Sequence, residues 1–116
     1  MATSSTTRIR CDRPQRLAKS LVSRFSSTAR AEWDSEEGRG HLLFRWERDA
    51  EVDMIAADTV LLIHLECEDE DLVHLEETIG RGVVELAAGG DVEVVWKRAG
   101  GEEGTRWATD GVGALD

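Results

Sequence analysis

Several absences narrow what this chain can be. Cysteine is scarce: Cys11 and Cys67 are the only two, and neither belongs to a CxxC pair. Both sit in apolar, strand-like segments and read as small reduced hydrophobes, although strands far apart in sequence can meet and a bridge between them stays open. No apolar run approaches the ~20 residues that span a bilayer, and the first seven residues hold no apolar core of a secretory signal. A cytoplasmic protein is expected. No repeat of fixed period is present, and a single domain is expected for these 116 residues.

Catalytic signatures are missing too. There is no GxSxG elbow, no HExxH and no phosphate-cradling glycine loop. Gly38-Arg39-Gly40 precedes a strand rather than a helix, so it reads as a hairpin turn. Histidine is limited to His41, His64 and His74, none at ligand spacing. The acidic run from Glu66 to Asp71 lacks the glycine and distal glutamate of a calcium loop. Neither a metal nor a cofactor is expected.

What is present is charge and alternation. The net charge is −10, which argues against general affinity for nucleic acid or anionic membrane. It is unevenly spread: residues 1–30 hold seven basic side chains and one acid, a balance of +6, while residues 31–116 hold seven and 23, a balance of −16.

Thr6 to Cys11 alternates as a strand. Asp12, Pro14 and Gln15 then open a helix to about Ser26 with an apolar stripe of Leu17, Leu21 and Phe25. Four strands follow, over 29–34, 41–46, 51–56 and 60–67, joined by short turns as an antiparallel meander. Asp69 reads as the cap of a second helix, striped by Leu72, Leu75, Ile79 and Val83 and weakened at Gly80 and Gly82. Either that helix frays there or a neighbour comes close. Val92 to Lys97 is a last strand.

The expected fold class is α+β, a two-layer sandwich with two helices on one face of a mostly antiparallel sheet, in the order β-α-β-β-β-β-α-β. Residues 1–5 are expected as a flexible leader, 6–99 as the domain and 100–116 as a Gly-rich acidic tail, with Thr105 to Ala108 a weak edge strand.

Two features invite a functional reading. Arg13, Arg16, Lys19 and Arg24 form a basic patch on the first helix. The plain reading pairs them with Glu70, Glu76 and Glu77 of the second helix; the functional one makes them a docking patch for an acidic partner or small anion. No aromatics interleave with these cations, so they do not suit nucleic acid. Trp33, Trp46 and Trp96 lie in phase with apolar strand residues. They belong to the core by default, or line a pocket if a cleft stays open. Val60, Leu62 and Val95 give the sheet a second apolar face, for which a homodimer is the simplest cover.

From Arg13-Pro14 through Trp96 the chain resembles the bacterial family called domain of unknown function 2218. The likeness rests on Arg13-Pro14, Glu32-Trp33-Asp34, Gly38-Arg39-Gly40, Phe44, Leu61, Ile63, Leu65, Asp69, Leu72, Leu75, Glu76, Val94 and Trp96. The resemblance implies histidines in relatives at the positions that Arg24, Ser27 and Gly82 occupy here. The resemblance implies that any binding through them is lost here. Some relatives occur with siderophore-interacting flavin reductases, which implies a link to iron uptake. The reading reached from the sequence is a non-catalytic interaction or ligand-binding module. The alternatives are an accessory to a ferric-siderophore reductase and a small enzyme with a Trp-lined cleft.

Overall fold

A computed structural model of the chain describes residues 2–45, 48–87 and 92–108. The elements are β1 (Ala2–Arg10), α1 (Pro14–Phe25), β2 (Ala29–Asp34), β3 (Arg39–Arg45), β4 (Asp49–Ala56), β5 (Val60–Glu68), a 3-10 turn (Asp69–Asp71), α2 (Leu72–Leu86), β6 (Glu93–Arg98) and β7 (Glu103–Ala108). The strands form one antiparallel sheet in the order β2-β3-β4-β5-β1-β6-β7. Both helices pack on one of its faces, as the pattern of apolar residues requires: an amphipathic helix and a one-faced sheet bury each other.

Period-two alternation places the core. Leu61, Ile63, Leu65 and Cys67 of β5 are buried beneath the helices, while Val60, Leu62 and His64 are half-buried on the opposite face. Under α1, Leu21, Val22 and Phe25 meet Leu42, Phe44 and Val52. Phe25 and Phe44 stand edge to face with ring centroids 5.7 Å apart.

The ends of the chain depart from expectation. Ala2–Ser5 is not a loose leader but the first half of β1, which pairs with β5 from Ala2↔Glu68 to Arg10↔Val60 and with β6 at Ser5↔Arg98 and Thr6↔Lys97. Glu103–Ala108, expected as tail or a weak edge strand, is β7. Residues 109–116 of the tail lie outside the described residues.

The caps also differ. Arg13 takes the N-cap position of α1 with no side-chain hydrogen bond, because the helix starts at Pro14 and leaves Asp12 a residue too early. Asp69 opens the 3-10 turn instead of α2, and Asp71 precedes Leu72. The Asp71 carboxylate is held by Arg48, whose Nε and Nη2 donate at 3.0 and 2.9 Å. That bidentate grip lowers the Asp71 pKa.

α2 runs unbroken through both glycines because neighbours come close there. A methyl at Gly80 would collide with the ring of Trp107, its Cγ at 2.9 Å, and one at Gly82 would meet Phe25 Cζ at 3.2 Å.

One buried hydroxyl, Thr7 Oγ1, has no hydrogen-bond partner among the described residues. Thr7 is 1% exposed on the core side of β1. Thr7→Val keeps the shape, suits a strand and removes the unsatisfied oxygen. It is expected to stabilise the domain by about 1 kcal/mol, read from the urea midpoint.

Candidate functional site

The N-terminal end of α1 lies beside the far end of β2, and a cleft of about 650 Å³ opens between them. Its walls include Arg13 at the N-cap of α1, Arg16 and Lys19 from α1, Trp33 and Ser35 from the end of β2, and Asp58 from the turn after β4. Three of the four expected basic-patch residues thus share a space with one of the three expected tryptophans.

Each wall has a local cause. Arg13, Arg16 and Lys19 recur at three-residue spacing on the flank of α1 that its apolar stripe leaves in solvent, and all three are exposed. Trp33 lies directly across from Gly40 of β3, whose missing side chain leaves room for the indole. The ring is half-buried. With three cations against Asp58, the cleft is positive within a strongly negative chain, and the first turn of α1 adds the positive end of its dipole.

Arg24 lies away from this cleft. It is ion-paired with Glu85 across the two helices. The other expected helix–helix pairs do not form: Glu77 is bonded to Arg81 within α2 at 3.1 Å, and Glu70 is exposed. Arg24 and Gly82 occupy the same end of the helix pair. They are held there by the Glu85 ion pair and by the contact with Phe25.

Glu76 corrects the expectation most sharply. It is fully buried on the core side of α2 and never reaches the basic patch. Ser5 Oγ donates to its Oε2 at 2.8 Å, and Arg98 Nε does so at 3.1 Å. Arg98 Nη2, the Thr105 N–H and the Thr105 hydroxyl donate to Oε1 at 2.9, 3.0 and 3.1 Å. Burial opposes its ionisation, but these donors and the Arg98 charge outweigh that and hold the carboxyl below its usual range.

Of the remaining tryptophans, Trp96 is a core residue: it is fully buried, and its indole N–H donates to the Glu76 carbonyl at 3.1 Å. Trp46 lies outside the described residues. Trp107, not singled out in the sequence as a site residue, packs on Gly80 with the Arg81 guanidinium 5.6 Å from its ring centroid.

A second groove, of about 710 Å³, lies on the other side of Trp33, with Glu32, Asp34, Arg39, His41 and Asp53 among its walls. His41 Nδ1 is 2.8 Å from Asp53 Oδ1. His64 Nδ1 sits 2.9 Å from Thr6 Oγ1, two strands further across the same face. Among the described residues, no three His, Cys, Asp or Glu side chains are arranged to hold a metal ion.

The cysteines are free. Cys67 faces Thr3, eight residues from Cys11 along β1, so roughly 25 Å of strand separates them and no bridge is possible. Burial, aided by the charges of Asp71 and Glu76, pushes the Cys67 thiol up to about 11. Burial and the Asp12 charge raise Cys11 as well. Both raised values oppose the thiolate form that a nucleophile needs.

No helix among the described residues is long and apolar enough to cross a membrane. No curated protein matches the chain. Among solved structures, it is similar to the NMR structure of PA4090 from Pseudomonas aeruginosa, with a TM-score of 0.65 and 22% identity over 82% of this chain and 95% of that one. That likeness concerns the fold. The model of a family described as an uncharacterized protein conserved in bacteria matches residues 6–97, and the chain belongs to that family, domain of unknown function 2218.

Proposed function

We propose that this domain is a non-catalytic binding module whose cleft takes a small anion carrying a flat, apolar ring. The observation that carries this reading is the convergence of Arg13, Arg16 and Lys19 with Trp33 around one cleft. The cations supply charge for a carboxylate or a similar group, and the half-buried indole supplies a face for a ring. A positive site within a chain of net charge −10 selects for anions locally while the molecule as a whole repels polyanions.

The enzyme alternative has less support. Among the described residues, no hydrogen bond links Ser35 or Asp58 to a base, and His41 opens onto the other groove. An accessory role in ferric-siderophore reduction makes the same chemical demand, since an aromatic siderophore group is an anion with a flat ring. A ferric siderophore therefore belongs among the ligands tried.

The test is an NMR titration with salicylate as probe and inorganic phosphate as the ring-free control. Salicylate is expected to shift the amides around Arg16 and Trp33, with phosphate weaker. Arg16→Ala combined with Lys19→Ala, both on exposed positions, is expected to weaken salicylate binding roughly ten- to hundredfold. Equal affinity in that variant, or no shift with either probe, rejects the reading.

A further inference from the structure

We infer that β2 is the docking edge for a second copy of this chain, which lays its own β2 alongside in antiparallel fashion and extends the sheet. β2 is the first strand in the sheet order and, among the described residues, pairs only with β3, in unbroken register from Ala29↔Phe44 to Asp34↔Arg39. Its outer edge carries backbone donors and acceptors with no strand beside them, which is a template for further pairing.

β2 carries one common edge protection, the charged side chains of Arg30, Glu32 and Asp34, and lacks several others. It has no proline, no lysine and no bulge. The opposite edge, β7, differs: its pairing with β6 is interrupted by a register shift between Val95 and Lys97.

The pattern of β2 also complements itself. Arg30, Glu32 and Asp34 point to the open face, while Ala29, Ala31 and Trp33 point toward the helix side. Two β2 strands paired antiparallel about Ala31 set Arg30 of each against Glu32 of the other, giving two opposite-charge pairs. On the helix side, Ala31 meets Ala31 and each small Ala29 meets a large Trp33. Centring the pair on Glu32 instead would oppose Arg30 to Asp34 at the flanks but set two carboxylates against each other at the centre. A slip of one residue would turn apolar side chains toward charged ones. One two-fold register is therefore favoured, and a closed dimer follows from it.

The open sheet face is a poorer fit for a second copy. Its apolar residues are dispersed: Val60 and Val95 stand apart from Ile55 and Leu62, whose row lies between Arg39 and Arg8, so two such rows would bring like charges together.

Sedimentation equilibrium of the full chain tests the inference. The unaltered protein is expected to dimerise at tens of micromolar. Arg30→Glu puts carboxylates on both sides of both pairs and should weaken the dimer about tenfold or more. Arg30→Glu combined with Glu32→Arg restores the opposite charges and should recover it. Both positions are exposed, and circular dichroism checks that the fold is kept. A monomer throughout overturns the inference, as does a dimer indifferent to Arg30→Glu, which would point to the open face. Failure of the double variant to recover the dimer overturns it too.

Discussion

Replacing Glu76 with alanine is expected to remove about 3–5 kcal/mol of folding stability, a large share of what a domain of this size has. Removing the carboxylate strands every donor aimed at it: the Arg98 guanidinium, the Ser5 hydroxyl, and the Thr105 hydroxyl and N–H. These groups come from β1, β6 and β7, so one side chain of α2 ties three strands to the helix. Urea unfolding of the variant measures the loss, and a change under 1 kcal/mol would show that the network is dispensable.

Acid gives an independent reading of the same group. Its folded carboxyl titrates below the ordinary glutamate range, so its contribution is present in full above that range and fades as the pH falls through the folded value. The unaltered protein should lose stability across that acidic window more steeply than Glu76→Gln does. Parallel curves would contradict the assignment.

The second large effect is expected at Gly80. In an ordinary helix Gly→Ala gains about 1 kcal/mol. Here the new methyl would collide with Trp107, a rigid ring that also stacks near Arg81 and donates from Nε1 to Thr105 Oγ1 at 3.0 Å. The ring must move and β7 with it, so Gly80→Ala is expected to destabilise by about 1–3 kcal/mol. In a Trp107→Ala background the obstacle is gone, and the same substitution should become stabilising by about 1 kcal/mol. Thermal or urea unfolding of the four proteins gives the cycle; a Gly80→Ala effect of the same sign in both backgrounds would reject the contact.

These two sites show where sequence reading stops. The strands from Ala29 to Cys67 and both helices announce themselves by periods of two and 3.6, because each buries one face locally. Ala2–Ser5 shows no apolar alternation. It becomes strand because β5 and β6 flank it and Glu76 receives Ser5, partners at least 60 residues away. Glu76 did carry a signal: it falls in phase with Leu72, Ile79 and Val83, and a glutamate on an apolar stripe asks for a buried cation. Half-buried Arg98 supplies that charge, but spacing alone does not reveal it. Gly80 hinted at a close neighbour without naming Trp107, which lies in a Gly-rich stretch that propensity reads as tail. The cleft was half legible: Arg13, Arg16 and Lys19 form a patch by helical spacing, whereas Trp33 joins them only because α1 begins beside the end of β2.

The position of β1 has a consequence for the integrity of the molecule. Among the described residues, it is the only strand hydrogen-bonded both to the four-stranded block β2–β5 and to the pair β6–β7. A proteolytic cut that released the first ten residues would therefore do more than shorten an end. It would take out an interior plank of the sheet and leave β5 and β6 facing each other across a gap one strand wide.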